Sequence, residues 1–364
     1  MKRLIAIVML LCLVLCACGN NTSEETTVTT TMETTVETTV ETTTEETEPP
    51  ILYRNPLNGT PLDTPYTGTP VAVVVNNLDG CLPQYGINDA DVYYEIETEG
   101  GITRCLAVFS DVSKVDAVGP VRSARTYFNS LAMSYNAPLV HCGGSDRGRN
   151  AGYEDSDDKI SGWEHLDQTY NGKYFYRDED RYYYQGYNWE HTLFAKGEDL
   201  AQAMADKGYI HDNSEGVDYG LIFEDLVVLG GETANTVTIT FRGDKTTKMT
   251  YDAATGLYTM HQYGDTTIDG ATEEATTFKN LLILCTDQWN RRDSNYSRSY
   301  YDITKSSGVG ALAIDGQIVP IQWARDGLRT HFTYTLEDGT PITLSTGRTY
   351  IAVVGDTDIP AIYE

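Results

Sequence analysis

The sequence predicts an α/β to α+β fold, with an N-terminal mixed-sheet domain carrying helices over residues 55–210 and a β-rich C-terminal domain over residues 217–364. Three observations predict it. Residues 71–75 read VAVVV, an uninterrupted β-branched run of the kind found in strands buried on both faces. Ala124, Tyr127, Phe128, Leu131, Ala132 and Tyr135 recur at spacings of three and four, the apolar stripe of a helix. Beyond Val217 the pattern turns to alternation and to Asp-Gly hairpin signals at Asp315-Gly316 and Asp338-Gly339. The folded part is long enough for two modest domains.

Taken in order, the chain opens with Lys2 and Arg3 ahead of an apolar run over residues 4–15, the pattern of a secretory leader and too short to span a bilayer as a helix. Leu15-Cys16-Ala17-Cys18 resembles a bacterial lipobox, so residues 1–18 are expected to be a lipoprotein signal, with Cys18 carrying the lipid. That places the chain on the extracellular face of the cytoplasmic membrane, held by the lipid alone. Residues 19–50 are mostly Thr, Glu and Val, with ETTV recurring at Glu25, Glu33 and Glu37. Such a stretch has too little apolar surface to offset its ordering entropy and reads as a disordered stalk. The formal net charge is −27 and its basic residues are scattered, which argues against nucleic acid as a partner. Cys81, Cys105, Cys142 and Cys285 remain after the leader, at spacings that suit no metal, and no cofactor is expected. A bridge between Cys81 and Cys105 and a set of buried free thiols are both compatible with this pattern.

After the VAVVV strand, the chain alternates. Val92, Tyr94 and Ile96 face one way, and Tyr93, Glu95, Glu97 and Glu99 the other. Gly100-Gly101 turns the chain, and residues 102–109 return as the second strand of a hairpin that brings Arg104 near the acidic row. Residues 119–125, GPVRSAR, break the strand signal and place Ser123 to cap the helix that follows. Pro138 closes that helix, a short strand ends at Cys142, and Gly143-Gly144-Ser145 makes a tight turn. Residues 193–207 read as a second helix stopped by Gly208, and residues 350–354 as a last buried strand.

Several groups suit chemistry, each beside a plainer reading. Arg122 and Arg125 flank a helix start and suit an anion, with Ser123 assisting; they equally suit internal pairing with Glu95, Glu97 or Glu99. Carboxylates two residues apart on a strand lie at a spacing used in glycoside hydrolysis, suit calcium, or simply form the wet face of a sheet. His141 and Ser145, with Gly143 and Gly144 amides and His191 elsewhere, contain the parts of a serine nucleophile; the plainer reading is a buried histidine and a locally bonded turn serine. Cys142 lies in an apolar run, where a raised thiol pKa is expected. Tyr174, Tyr176, Tyr182, Tyr183, Tyr184 and Tyr187, with Arg177 among them, suit stacking on sugar rings or packing between domains. The expected role is a binding or accessory module of the bacterial cell envelope with a cell-wall glycan or anionic ligand; the alternative is a hydrolase or transferase acting on cell-wall polymer.

The motifs PVAVVVNN from Pro70, QYGINDADVYYE from Gln84, EGGITR from Glu99, GPVRSAR, HCGGS from His141 and FYRDEDR from Phe175 resemble the YerB-like family of Gram-positive lipoproteins. So do Glu190-His191, the GALAIDGQIVPIQW stretch ending at Trp323 and the GRTYIAVV stretch from Gly347. The resemblance implies a two-domain surface lipoprotein and brings no catalytic residues with it. The chain departs from the family pattern at Cys105, where an aromatic is expected, and at Asp146, where proline is expected.

Overall fold

The VAVVV run forms strand β1 (Val71–Asn77), buried along its whole length and continuing through Asn76 and Asn77 beyond the apolar stretch. In this computed structural model the described residues are 53–144, 163–241, 245–293, 296–355, 359 and 361–364. The expected hairpin is present as β2 (Val92–Glu97) and β3 (Thr103–Phe109), in register from Val92 opposite Val108 to Glu97 opposite Thr103. Its turn holds Gly100 and Gly101 at φ 82° and 72°, a backbone region that a Cβ disfavours.

Helix α1 (Thr126–Ser134) follows, but with Arg125 at its N-cap and no side-chain cap. Ser123 is not the cap: its hydroxyl donates to the Cys142 carbonyl at 2.9 Å. Tyr135 ends the helix rather than continuing it. Strands β4 (Leu139–His141) and β5 (His165–Asp167) complete this side of the sheet. Further on, α2 (Glu179–Tyr183) is a short surface helix and α3 (Gly197–Lys207) ends at Gly208 in the left-handed region. The helix expected from residue 193 therefore starts four residues later, because Leu193–Phe194 pairs instead with Tyr176–Arg177.

The β-rich part supplies β6 (Thr236–Thr240), β7 (Thr246–Asp252), β8 (Leu257–Gln262), β9 (Asn280–Cys285), β10 (Ser306–Ile314), β11 (Gln317–Arg325) and β12 (Thr349–Val354). The turn between β10 and β11 holds Asp315 and Gly316 at positive φ, as an Asp-Gly hairpin requires. One large sheet runs β11-β10-β9-β12-β2-β3-β1-β4-β5. β12 lies in its middle, parallel to β9 on one side and to β2 on the other, with Tyr350 opposite Tyr93 and Ala352 opposite Glu95. The two expected domains are thus not two separate sheets: residues 50–364 form one compact unit, and strands from both halves share one hydrogen-bonded core. The fold is mostly β with few helices, so the α/β expectation holds only loosely.

Both faces of the large sheet are covered. On one face Val73, Val75, Tyr93 and Ala107 pack with Val237, Ile239, Met249, Tyr258 and Met260 of a second sheet, β6-β7-β8, and with Leu200 and Met204 of α3. On the other, Val74, Tyr94, Leu106 and Val108 pack with Phe128 and Leu131 of α1 and with Trp323. This double cover explains the unbroken apolar runs, since each buried Val or Leu contributes roughly 1.5–3 kcal/mol through removal from water.

Candidate functional site

Strands β1, β4 and β5 are mutually parallel, and β2 runs the same way because both it and β1 are antiparallel to β3. Their carboxyl ends therefore share one rim, the usual place for ligands in open sheets with parallel strands. Residues 119–125 are laced across that rim by backbone hydrogen bonds. Asn76 donates to the Pro120 carbonyl at 2.9 Å, Arg122 to Val74 at 2.9 Å, Cys142 to Arg122 at 3.0 Å and Ala124 to Gly143 at 3.0 Å. The strap fits between β1 and β4, and this fixes where Arg122 and Arg125 begin.

Arg125 is held by Glu99, with Nε 2.9 and 3.0 Å from the two carboxylate oxygens and Nη2 2.7 Å from one of them. Burial raises the Glu99 carboxyl, but the Arg125 hydrogen bonds and charge outweigh it and leave the group below the usual carboxylate range. Arg104 is different. Its residue is only 7% exposed, its Nη1 donates to the Ser123 carbonyl at 2.9 Å, and its Nε is buried with no hydrogen-bond partner. Among the described residues it makes no ion pair. Burial, with Arg125 and Arg122 close by, lowers its pKa to about 9, so it still carries its charge at neutral pH.

Arg122 pairs with the half-exposed Glu190 at 3.1 Å, and its Nε is likewise buried without a partner. Arg177 donates to the Trp189 carbonyl at 2.5 Å and sits 4.7 Å from the Trp189 ring; burial and the Arg122 charge lower its pKa. Asn76, opposite Arg104 in the β1–β3 register, places Nδ2 2.9 Å from His191 Nδ1 and leaves its own Oδ1 buried and unpartnered. Burial chiefly, and the Arg122 and Arg181 charges, hold His191 below the usual imidazole range against the pull of Glu190. Among the described residues, Arg104, Arg122, Arg125 and Arg177 thus stand near Glu97, Glu99 and Glu190, a local positive surplus in a chain of net charge −27.

Glu95 points to the opposite face and is fully buried. Its Oε1 accepts from Asn77 Nδ2 at 2.9 Å and the Thr103 hydroxyl at 2.6 Å, with Lys245 Nζ at 3.3 Å; its Oε2 accepts from the Thr247 hydroxyl at 2.8 Å and the Tyr350 hydroxyl at 2.7 Å. Gln262 Oε1 accepts from Asn77 at 2.7 Å and Lys245 at 2.6 Å, closing the network. The expected wet acidic face is therefore a sealed one: the β6-β7-β8 sheet covers it. A carboxylate saturated in this way has no lone pair left for a proton-transfer or nucleophilic role, and Glu99 is engaged by Arg125. The paired-carboxylate and calcium readings of Glu95 both fail on this ground.

These two clusters belong to a chain whose residues 57–210 match the N-terminal domain, and residues 237–351 the C-terminal domain, of a protein family of unknown function, DUF3048. The chain is a DUF3048 protein. It is 28% identical over 301 residues to "Putative lipoprotein YerB" of Bacillus subtilis (strain 168), covering 80% of this chain and 83% of that one. It also matches a crystal structure of the YerB protein from Bacillus subtilis, with a TM-score of 0.68 and 26% identity, over 85% of this chain and 99% of that chain.

The remaining sites expected in this DUF3048 protein fall as follows. His141 is buried, with Nδ1 2.6 Å from the Gly143 carbonyl and Nε2 2.9 Å from His165 Nδ1, so both ring nitrogens are engaged. Gly143 donates to Asp167 at 3.0 Å and Gly144 bridges to Ala124. Ser145 and Cys18 lie outside the described residues. Glu97 is buried, and Cys81, Cys105, Cys142 and Cys285 are free thiols, so the Cys81–Cys105 bridge is not formed. Of the tyrosines, Tyr174 is buried and donates to Asp206, whereas Tyr182, Tyr183 and Tyr184 are exposed rather than packed between domains. Asn76, Glu190 and Trp189 in the arginine cluster, and Lys245, Thr247, Gln262 and Tyr350 around Glu95, are new. Only Asn76-Asn77 carries a local signal, as polar residues ending an apolar strand.

Proposed function

We propose that this DUF3048 protein is a ligand-binding module of the cell envelope, held at the outer face of the cytoplasmic membrane by a lipid on Cys18, with a seat for an anionic group on the rim formed by Arg104 and Arg122. The observation that carries this reading is Arg104: a buried guanidinium that makes no ion pair among the described residues and leaves Nε without a hydrogen-bond partner, beside a second arginine whose Nε is also unpartnered. Uncompensated buried charge is costly, and an arriving carboxylate or phosphate removes that cost through charge-assisted hydrogen bonds. Arg125, engaged by Glu99, holds the strap in place and adds field rather than a contact. The likeness to a relative named as a lipoprotein supports the anchor.

Calorimetry of the full chain with inorganic phosphate, muropeptides and teichoic-acid fragments tests the seat. Heat with at least one of them, lost in Arg122→Ala, is expected; the absence of heat with all of them would remove the reading. Metabolic labelling with a clickable fatty acid, abolished by Cys18→Ala, tests the anchor.

A further inference from the structure

Building on that anion seat, we infer that its ligand is an acidic saccharide, a sugar ring carrying one carboxylate or phosphate, with the ring lying on the aromatic surface formed by Trp189, Tyr182 and Tyr183. The two surfaces are continuous. Glu190, which pairs with Arg122 at 3.1 Å, is the chain neighbour of Trp189. Arg177 bridges them from the other side, with its guanidinium 4.7 Å from the Trp189 ring and within electrostatic reach of Arg122. Trp189 is 47% exposed and Tyr183 65%, and the Tyr182 ring meets Trp189 edge-on at 5.2 Å and Tyr183 at 5.0 Å.

Trp189, Tyr182 and Tyr183 form an exposed run of rings in mutual contact. They are also held stiffly. Arg181, on the buried side of α2, donates to the Cys81 and Pro83 carbonyls at 3.0 and 2.9 Å, and its guanidinium lies 4.2 Å from the Tyr187 ring. The Tyr187 hydroxyl donates to the Leu82 carbonyl at 2.7 Å, and Asp178 caps α2. An aromatic surface ordered before binding loses little conformational entropy when a ligand arrives. The charge around it selects among ligands. Glu179, Asp180 and Glu190 are exposed beside the rings and repel a polyanion, but they accept hydrogen bonds from hydroxyls. One anion for the arginines, an apolar ring face for Trp189 and hydroxyl donors for the carboxylates together describe a sugar acid.

The test is a titration of the full chain, followed by tryptophan fluorescence and calorimetry, with glucuronate and glucose 6-phosphate, with the bare anions acetate and phosphate, and with glucose. Each sugar acid is expected to bind about tenfold more tightly than its bare anion, and glucose more weakly than either sugar acid. Trp189→Ala, or Tyr183→Ala should the first variant not fold, is expected to erase that advantage while leaving acetate and phosphate within about twofold. Binding of the bare anions with no gain from the sugar overturns the saccharide inference and leaves the anion seat standing. Equal loss of sugar acids and bare anions in Trp189→Ala, or an acidic peptide binding more tightly than either sugar acid, also overturns it. No binding by any probe removes both readings.

Discussion

Two polar clusters occupy the two faces of the same end of the large sheet, one residue apart in register: Glu95 lies opposite Cys105, and Arg104 opposite Ile96. Around Glu95 both carboxylate oxygens are taken by five donors from four segments of the chain, under a second sheet. Around Arg104 and Arg122, among the described residues, buried nitrogens are left without partners and the positive charges outnumber the negative. The first arrangement is complete as it stands and works as glue between the halves of the chain. The second leaves polar atoms unpaired, the gap that the proposed ligand would fill.

The largest expected effect comes from breaking the complete cluster. Glu95→Ala strands Lys245 and four other donors in the core and is expected to cost about 3–5 kcal/mol in urea denaturation. A loss below about 1 kcal/mol would mean that the network does not join the halves. Arg122→Ala probes the incomplete cluster. Its pair with half-exposed Glu190 contributes little to folding, so stability should shift by less than about 1 kcal/mol, while the affinity for an anionic ligand should fall about tenfold or more. A fall in stability matching that of the Glu95 variant would erase the distinction.

A smaller effect of opposite sign is expected for Glu190→Gln. This carboxylate competes with a ligand for Arg122, so its neutralisation should raise anion affinity by about two- to fivefold, and unchanged affinity would place the ligand elsewhere. The smallest effect concerns pH. The folded-state pKa of Glu99 lies below its unfolded value, so the Arg125 pair stabilises the fold above the ordinary glutamate pKa, near about 4.3, and that contribution is lost as pH falls through the folded value. Glu99→Gln should flatten the fall in stability between about pH 5 and 3. A slope identical to that of the parent chain would show the pair to be dispensable.

Local patterns made much of the first half legible. The β1 run, the Glu95 hairpin with its Gly-Gly turn and the middle of the α1 stripe, Tyr127 to Ala132, appear where spacing placed them, because each is decided by neighbours a few residues away, whereas Ala124 and Tyr135 fall outside the helix. The pairing of β12 with β2 was not legible. Its partners lie more than 250 residues apart, and a parallel pairing leaves no turn to announce it. The same distance hid the fate of Glu95, whose alternation with apolar neighbours reads as a wet face until Lys245, Thr247 and Tyr350 arrive from the other half. Arg125 and Glu99 could be matched by charge alone. Arg104 could not, since its lack of an ion pair among the described residues is a property of three dimensions.

The placement of β12 in the centre of the sheet also bears on how the molecule is made. Synthesis proceeds from the N-terminus, yet residues 349–354 fill the gap between β2 and β9. Until residues 349–354 emerge during synthesis, both flanking strands present bare edges to anything nearby. An interruption of the chain just ahead of that segment is expected to yield an adhesive fragment instead of a shortened protein.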